Sequence, residues 1–94
     1  MDVLDDATVD AALGEGIGWE RRGAEITKST RHTGFADALA YVNAVGSLAE
    51  EMDHHPDIDL RWRTLHLFLV THSAGGVTAL DLELARRIDA LLPG

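Results

Sequence analysis

The sequence has no cysteine among its 94 residues. Disulfides, thiolate zinc sites and a cysteine nucleophile are therefore excluded. Bases are few: eight Lys and Arg stand against sixteen Asp and Glu, for a net charge of −8 at pH 7. That balance argues against direct nucleic-acid binding and against docking on an anionic membrane, both of which need clustered cations. No long apolar run is present. The longest aliphatic stretch is Leu67-Phe68-Leu69-Val70, well below the ~18 residues of a membrane span. The start, Met1-Asp2-Val3-Leu4-Asp5-Asp6, is acidic and lacks the basic and apolar parts of a signal peptide. A soluble, cytoplasmic protein is the expectation.

What is present fits one compact domain over residues 1–94. Hydrophobic residues make up 46% and charged residues 26%, a globular balance and not a disordered one. Charge alternates along the chain. The first twenty residues hold acids only, 21–31 carry Arg21, Arg22, Lys28 and Arg31, and 32–59 are acidic again. Solvated faces of alternating sign explain this pattern. A core this thin would gain from oligomerisation.

The coarse elements follow from periodicity and punctuation. Asp5 or Asp6 caps a short helix through Leu13, with Leu4, Val9 and Leu13 on one side. Gly14, Gly16 and Gly18 then break it. Trp19–Arg22 and Glu25–Arg31 flank Gly23 as a hairpin. Phe35 to about Met52 is a long helix, with Thr33 as N-cap and Asp37 at the positive end of its dipole. Phe35, Leu39, Val42, Ala49 and Met52 would form its buried stripe. Pro56 lies just past its end and pushes His55 toward an extended conformation.

Ile58–Trp62 and Thr64–Thr71 read as two strands. In the second, Leu65, Leu67 and Leu69 share the core face, while His66, Phe68, Val70 and His72 share the other. Gly75-Gly76 makes a turn. Thr78 caps the last helix with Asp81 at capping-box spacing. Leu80, Leu84, Ile88 and Leu91 form its stripe, and Pro93-Gly94 ends it. The order α-β-β-α-β-β-α predicts a two-layer α+β domain. Three helices cover one face of a four-stranded antiparallel sheet. The uncovered face and two edges favour a symmetric assembly.

Five histidines are available for chemistry. His54 and His55 follow the long helix at once, and His72 ends a strand before Ser73-Ala74-Gly75-Gly76. Imidazole, with a pKa of roughly 6.5, both donates and accepts protons near neutrality. Glu50 or Asp81 could fix a tautomer. His32 reads as a surface residue and His66 as a packing residue of the sheet face. A metal site is the rival reading for the other three. Adjacent histidines in an extended chain point opposite ways, however, and two His four apart on a helix are missing.

Other motifs are weaker. Gly14-Glu15-Gly16-Ile17-Gly18 resembles a phosphate loop only in glycine content and precedes a strand. Ser73 adjoins His72 without a Gly-x-Ser-x-Gly elbow, which argues against a serine hydrolase. Trp62 is either a core or rim aromatic, or a flat wall against a flat heterocycle.

Taken together, these positions resemble a known signature. Glu50 stands four before His54-His55-Pro56, Trp62 eight after His54, His72 ten after Trp62 and Asp81 nine after His72. This spacing resembles that of the pterin-4a-carbinolamine dehydratases. Gly18-Trp19, Thr71, Gly75 and the Thr78-x-x-Asp81 helix start also match, and the likeness runs from about Leu4 to Leu92. The resemblance implies the same fold in homodimers or homotetramers, and no metal or organic cofactor. It implies dehydration of 4a-hydroxytetrahydrobiopterin to the quinonoid dihydropterin, the step that recycles tetrahydrobiopterin after aromatic amino-acid hydroxylation.

Carried over by position, His54, His55 and His72 would be the active-site histidines. The backbones of His54, His55 and Pro56 and of Thr71, His72, Ser73 and Ala74 would hold the pterin. Glu50, Trp62 and Asp81 would support them. Which of His54 and His72 is acid and which is base stays open. Relatives of this kind also serve as dimeric coactivators or assembly factors. A dimeric interaction module with a vestigial site is therefore the alternative, and the acidic surface and the apolar Phe68 and Val70 on the open face are its motivation. The intact histidine set argues for catalysis.

Overall fold

The computed structural model describes residues 2–14 and 18–92. The middle of the glycine-rich segment, residues 15–17, and the Pro93-Gly94 helix stop lie outside the described residues. The element order is α1 (Asp6–Leu13), β1 (Glu20–Arg22), β2 (Glu25–Arg31), α2 (Phe35–Met52), β3 (Asp57–Arg61), β4 (Thr64–Leu69) and α3 (Ala79–Asp89). The α-β-β-α-β-β-α order expected from periodicity is the order observed. The strands form one antiparallel sheet in the order β1-β2-β4-β3. No helix among the described residues is long and apolar enough to cross a membrane.

Strand β4 is central and alternates strictly. Leu65, Leu67 and Leu69 are fully buried, and His66 and Phe68 between them are half-buried. The leucines meet Ile26 of β2 and Val45, Leu84 and Ile88 of α2 and α3 in the core. Side chains of period two facing one layer of helices produce this division. Asp5 caps α1 by accepting a bond from the Thr8 amide at 2.8 Å. The β1–β2 hairpin turns at Gly23, whose φ of 62° suits a residue without Cβ. Trp19 precedes β1 and is buried, and its indole N–H donates to Asp89 at 3.0 Å.

Four expectations about the elements change. The N-cap of α2 is Gly34 and not Thr33. The Thr33 hydroxyl donates to the Asp37 carboxylate, one turn on, and caps no backbone amide. The buried stripe of α2 is Ala38, Tyr41, Val45 and Ala49, whereas Phe35 and Leu39 are 48% and 42% exposed. Ala38 and Tyr41 are buried on the side of the helix that meets the core, where the Tyr41 hydroxyl reaches the Ile88 carbonyl of α3, and the larger Phe35 and Leu39 lie on its flank. On α3, Leu84 and Ile88 are buried as expected, but Leu91 lies beyond the helix and is exposed.

The fourth change concerns Trp62. Strand β3 stops at Arg61, which pairs with Thr64, so Trp62 and Arg63 form the two-residue hairpin turn. Trp62 takes a left-handed φ of 54°, is 68% exposed, and carries the Arg63 guanidinium 4.7 Å from its ring centroid. Strand β4 likewise ends at Leu69 and not at Thr71, which makes only an isolated bridge to Gly76.

Candidate active site

The last turn of α2 aims two consecutive histidines in opposite directions. Asp53 ends the helix in a left-handed conformation, φ 49° and ψ 43°. The His54 amide then returns to the Ala49 carbonyl at 3.0 Å. His54 turns inward, 8% exposed, and its Nε2 lies 2.6 Å from Asp81 Oδ1 on α3. His55 turns outward, and its Nε2 lies 2.6 Å from Glu50 Oε2 in the last turn of α2.

Asp81 is fully buried and is the hub. Its Oδ2 accepts the Thr71 hydroxyl at 2.8 Å and the Thr78 amide at 2.8 Å, while Oδ1 faces His54. The Thr71 and Thr78 hydroxyls are 2.8 Å apart. Because Thr71 Oγ1 donates to Asp81, the Thr78 hydroxyl donates to Thr71. With two donors already on the carboxylate, the complementary partner at Oδ1 is the His54 Nε2–H. Asp81 thus acts twice: it completes the reciprocal capping box of α3 and it fixes the His54 ring. His54 Nδ1 is then the ring nitrogen that Asp81 does not engage.

Thr71 carries the network to the second loop. The Thr71 amide donates to the Gly76 carbonyl at 3.0 Å, closing a turn over residues 72–75. The Ala74 and Gly75 amides donate back to the Thr71 carbonyl, each at 2.9 Å. His72 opens this turn, exposed, next to exposed Ser73. Thr71 follows the core-facing parity of Leu65 to Leu69, and His72 follows the parity of Val70 on the open face. His72 lines a hollow of about 350 Å³ with Val70, Arg22, Ala24, Glu25 and Gly75. His54 and His55 do not line that hollow.

The structure therefore brings Glu50 to His55, and Asp81 and Thr71 to His54, with His72 one residue beyond Thr71. It does not bring Trp62 to them. The register Asp57↔Phe68 and Arg61↔Thr64 puts the histidine end and the Trp62 turn at opposite ends of the β3–β4 hairpin. A wider hollow of about 750 Å³ lies elsewhere, between the end of β2, α2 and Leu91–Leu92, and it contains His32. Among the described residues no group of three or more His, Asp or Glu is placed to hold a metal ion.

Two features were not read from the sequence. Thr78 joins the buried network as well as capping α3. Arg22 reaches the His72 hollow. The signal for the second was available: strand alternation sends Arg21 and Arg22 to opposite faces.

Comparisons with known proteins agree with one another. The family model described as pterin 4 alpha carbinolamine dehydratase matches residues 2–91. A provisionally named pterin-4-alpha-carbinolamine dehydratase of Mycobacterium sp. (strain KMS) is 51% identical over 92 residues, covering 98% of each chain. Another so named, from Thermomicrobium roseum, is 48% identical over 88 residues, covering 94% of this chain and 95% of its own. A crystal structure of a transcriptional coactivator/pterin dehydratase from Brucella melitensis superposes with a TM-score of 0.92 at 30% identity, covering 98% of this chain and 100% of that one. A pterin dehydratase-like protein identified as a RuBisCO assembly factor in the alpha-carboxysome shares the fold alone. Its TM-score is 0.64 at 22% identity, over 78% of this chain and 84% of that one.

Proposed function

The chain belongs to the pterin 4 alpha carbinolamine dehydratase family, and from that premise we propose that it dehydrates 4a-hydroxytetrahydropterins by histidine acid–base catalysis. On this reading it is a hydro-lyase of one domain, residues 1–94, that works on tetrahydrobiopterin-type cofactors in the cytoplasm as a homo-oligomer. The observation that carries the reading is the Asp81 hub, which orients the buried His54 ring and ties it through Thr71 to the loop of His72.

The chemistry asks little of the protein. The substrate has a hydroxyl on C4a, next to N5. Protonation of that oxygen lets the N5 lone pair form the N5=C4a bond while water leaves. The resulting cation then loses a ring N–H proton to give the quinonoid product, so one proton enters and one departs. A donor and an acceptor suffice, and such help contributes about 10²–10⁴-fold. His54, with Nε2 held by Asp81, presents Nδ1 in one orientation. His72 supplies the second imidazole. His55, held by Glu50, and the backbones of Pro56, Thr71, Ser73 and Ala74 border the ring.

Purified protein should accelerate loss of a synthetic 4a-hydroxytetrahydropterin and should do so in the presence of a strong chelator. His54→Ala and His72→Ala should each lower the rate at least about tenfold. Unchanged rates in both variants would end the reading.

One observation favours a second reading, an interaction module. Phe35 and Leu39 expose large apolar side chains on α2, and a second copy or another protein would cover them. A stable partner still bound by the His54→Ala, His72→Ala double variant and lost on adding Phe35→Glu would support it, and no partner under gentle conditions would count against it.

A further inference from the structure

The residues ahead of α1 run along the back of the loop that carries His72. The Leu4 amide donates to the Val77 carbonyl at 2.8 Å, and the Leu4 side chain packs on the core. Val3 lies over Gly76. A Cβ built on Gly76 would stand 2.7 Å from Val3 Cγ1, well inside ordinary carbon contact, and 3.7 Å from Val3 Cβ. Gly76 is buried and its φ is not left-handed. Glycine is therefore required at this position by the approach of Val3 and not by the backbone.

The loop is held from its two ends. At the first, Thr71 is tied to Asp81 and Thr78. At the last, Gly76 and Val77 meet Val3 and Leu4. Between them Gly75 turns with φ 85°, and His72 and Ser73 are exposed. The front of the turn faces the His72 hollow. Its back borders a second hollow of about 220 Å³ that contains Val3, Leu4, Gly76 and Val77. Ala24 and Gly75 border both.

We infer that Val3 and Leu4 are positioning residues for His72, acting through Gly76 and Val77 and touching no substrate. This role rests on the dehydratase reading, in which His72 supplies the second imidazole. Val3 is 49% exposed, so its partial burial adds little to the stability of the core. Its branched side chain is stiff at χ1, so it seats Gly76 at a fixed height. A reacting group displaced by about 1 Å loses up to about 10²-fold in rate. A contact of little value to folding thereby gains one in catalysis.

The test is a pair of substitutions, each harmful alone and harmless together. Gly76→Ala drives a methyl into Val3, and Val3→Ala leaves a gap over Gly76. In the double variant the two methyl carbons would stand 3.7 Å apart, an ordinary contact. Gly76→Ala should lower kcat about five- to tenfold and Val3→Ala about two- to threefold, with KM changed by less than about twofold. The double variant should return to within about twofold of the wild type, a coupling expected of residues in contact. Ile88→Val, a core change two turns along α3 from Asp81, is the control: it should lower the denaturation midpoint and leave kcat alone. Hydrogen exchange gives a readout free of activity. The Ala74 and Gly75 amides, which donate to the Thr71 carbonyl, should exchange at least about threefold faster in each single variant and at the wild-type rate in the double. Wild-type kcat in both single variants, or a double variant no better than Gly76→Ala, would overturn the inference. If Gly76→Ala does not fold, Val3→Ala decides by the same two readings. If the wild type itself turns over no 4a-hydroxytetrahydropterin, the dehydratase reading has failed. Amide exchange then decides whether Val3 holds the loop, and unaltered rates in the single variants reject it.

Discussion

Asp81 Oδ1 and His54 Nε2 lie 2.6 Å apart, joining the first turn of α3 to the residue just beyond α2. A carboxylate that caps a helix and also orients an imidazole gives one substitution two separable effects. Asp81→Asn keeps the shape but presents an amide NH₂ where one of three donors arrives. A buried donor left unmatched costs about 1–3 kcal/mol, so urea unfolding should show a loss of that order. The rate should fall in kcat more than in KM, because Asp81 touches the His54 ring and no substrate. Thr78→Ala is the control. It removes a capping hydroxyl, at about 1 kcal/mol, and leaves the Asp81–His54 bond in place. Equal kcat losses in the two variants would show that Asp81 acts through stability alone.

His55 and Glu50 form the contrasting pair. Both are exposed at the same 2.6 Å separation, so solvent competes for each partner. Exposed pairs contribute about 0–1 kcal/mol. Glu50→Gln should therefore leave the denaturation midpoint almost unchanged. If Glu50 sets the direction of the His55 ring toward a pterin, the rate should drop while stability does not. A drop in stability beyond about 1 kcal/mol would make the pair structural.

How much of this was legible beforehand depended on where the information lay. Leu65, Leu67 and Leu69 declared their face, because strand alternation needs no knowledge of the partner. The capping box Thr78-x-x-Asp81 is equally local, and the structure forms it. The stripe of α2 differs from its hydrophobic pattern, in which Phe35 and Leu39 outweigh Ala38. Which flank a helix buries is settled by its neighbours, here Ile88 at the Tyr41 hydroxyl. Trp62 has the β-propensity of an aromatic, yet the pairing of Arg61 with Thr64 leaves it in the turn. The site divides in the same way. The opposed directions of His54 and His55 followed from their adjacency. The sequence offers Glu50 and Asp81 as carboxylates for the histidines without assigning either to one ring, and the Asp81–His54 pairing and the Thr71 relay arise from tertiary packing.

The C-terminus of α2 is electrostatically poor. Glu50, Glu51 and Asp53 crowd its negative end, and no base lies in its last turn. Asp53 is also left-handed, with φ 49°. Asp53→Asn removes a charge while keeping a residue that tolerates this conformation, and should stabilise by about 0.3–1 kcal/mol. Asp53→Gly also relieves the backbone, against a greater entropy loss on folding. The electrostatic gain, common to both variants because each removes the same charge, should shrink in high salt as the dipole term is screened, while the backbone difference between Gly and Asn should not change. Denaturation midpoints at two ionic strengths would check this. A lowered midpoint in both variants would mean that Asp53 makes an interaction beyond the cap.

Tyr41 gives the fold an optical reporter, since the chain has one tyrosine. Its ring packs 4.8 Å from that of His32, and its hydroxyl donates to the Ile88 carbonyl at 3.4 Å. Burial, with a smaller push from the Asp89 charge, raises the phenol from 10.0 to about 12. The folded chain thus holds this proton where the unfolded chain releases it. The contribution to stability is complete below pH 10.0 and is lost as pH climbs to about 12. Phenolate absorbance in the native protein should therefore rise near the upper value, and in denaturant near the lower one. Over the same window the wild type should lose stability faster than Tyr41→Phe, which has no proton to release. Native titration at the unfolded value would mean that solvent reaches the hydroxyl and that α2 and α3 do not seal around it.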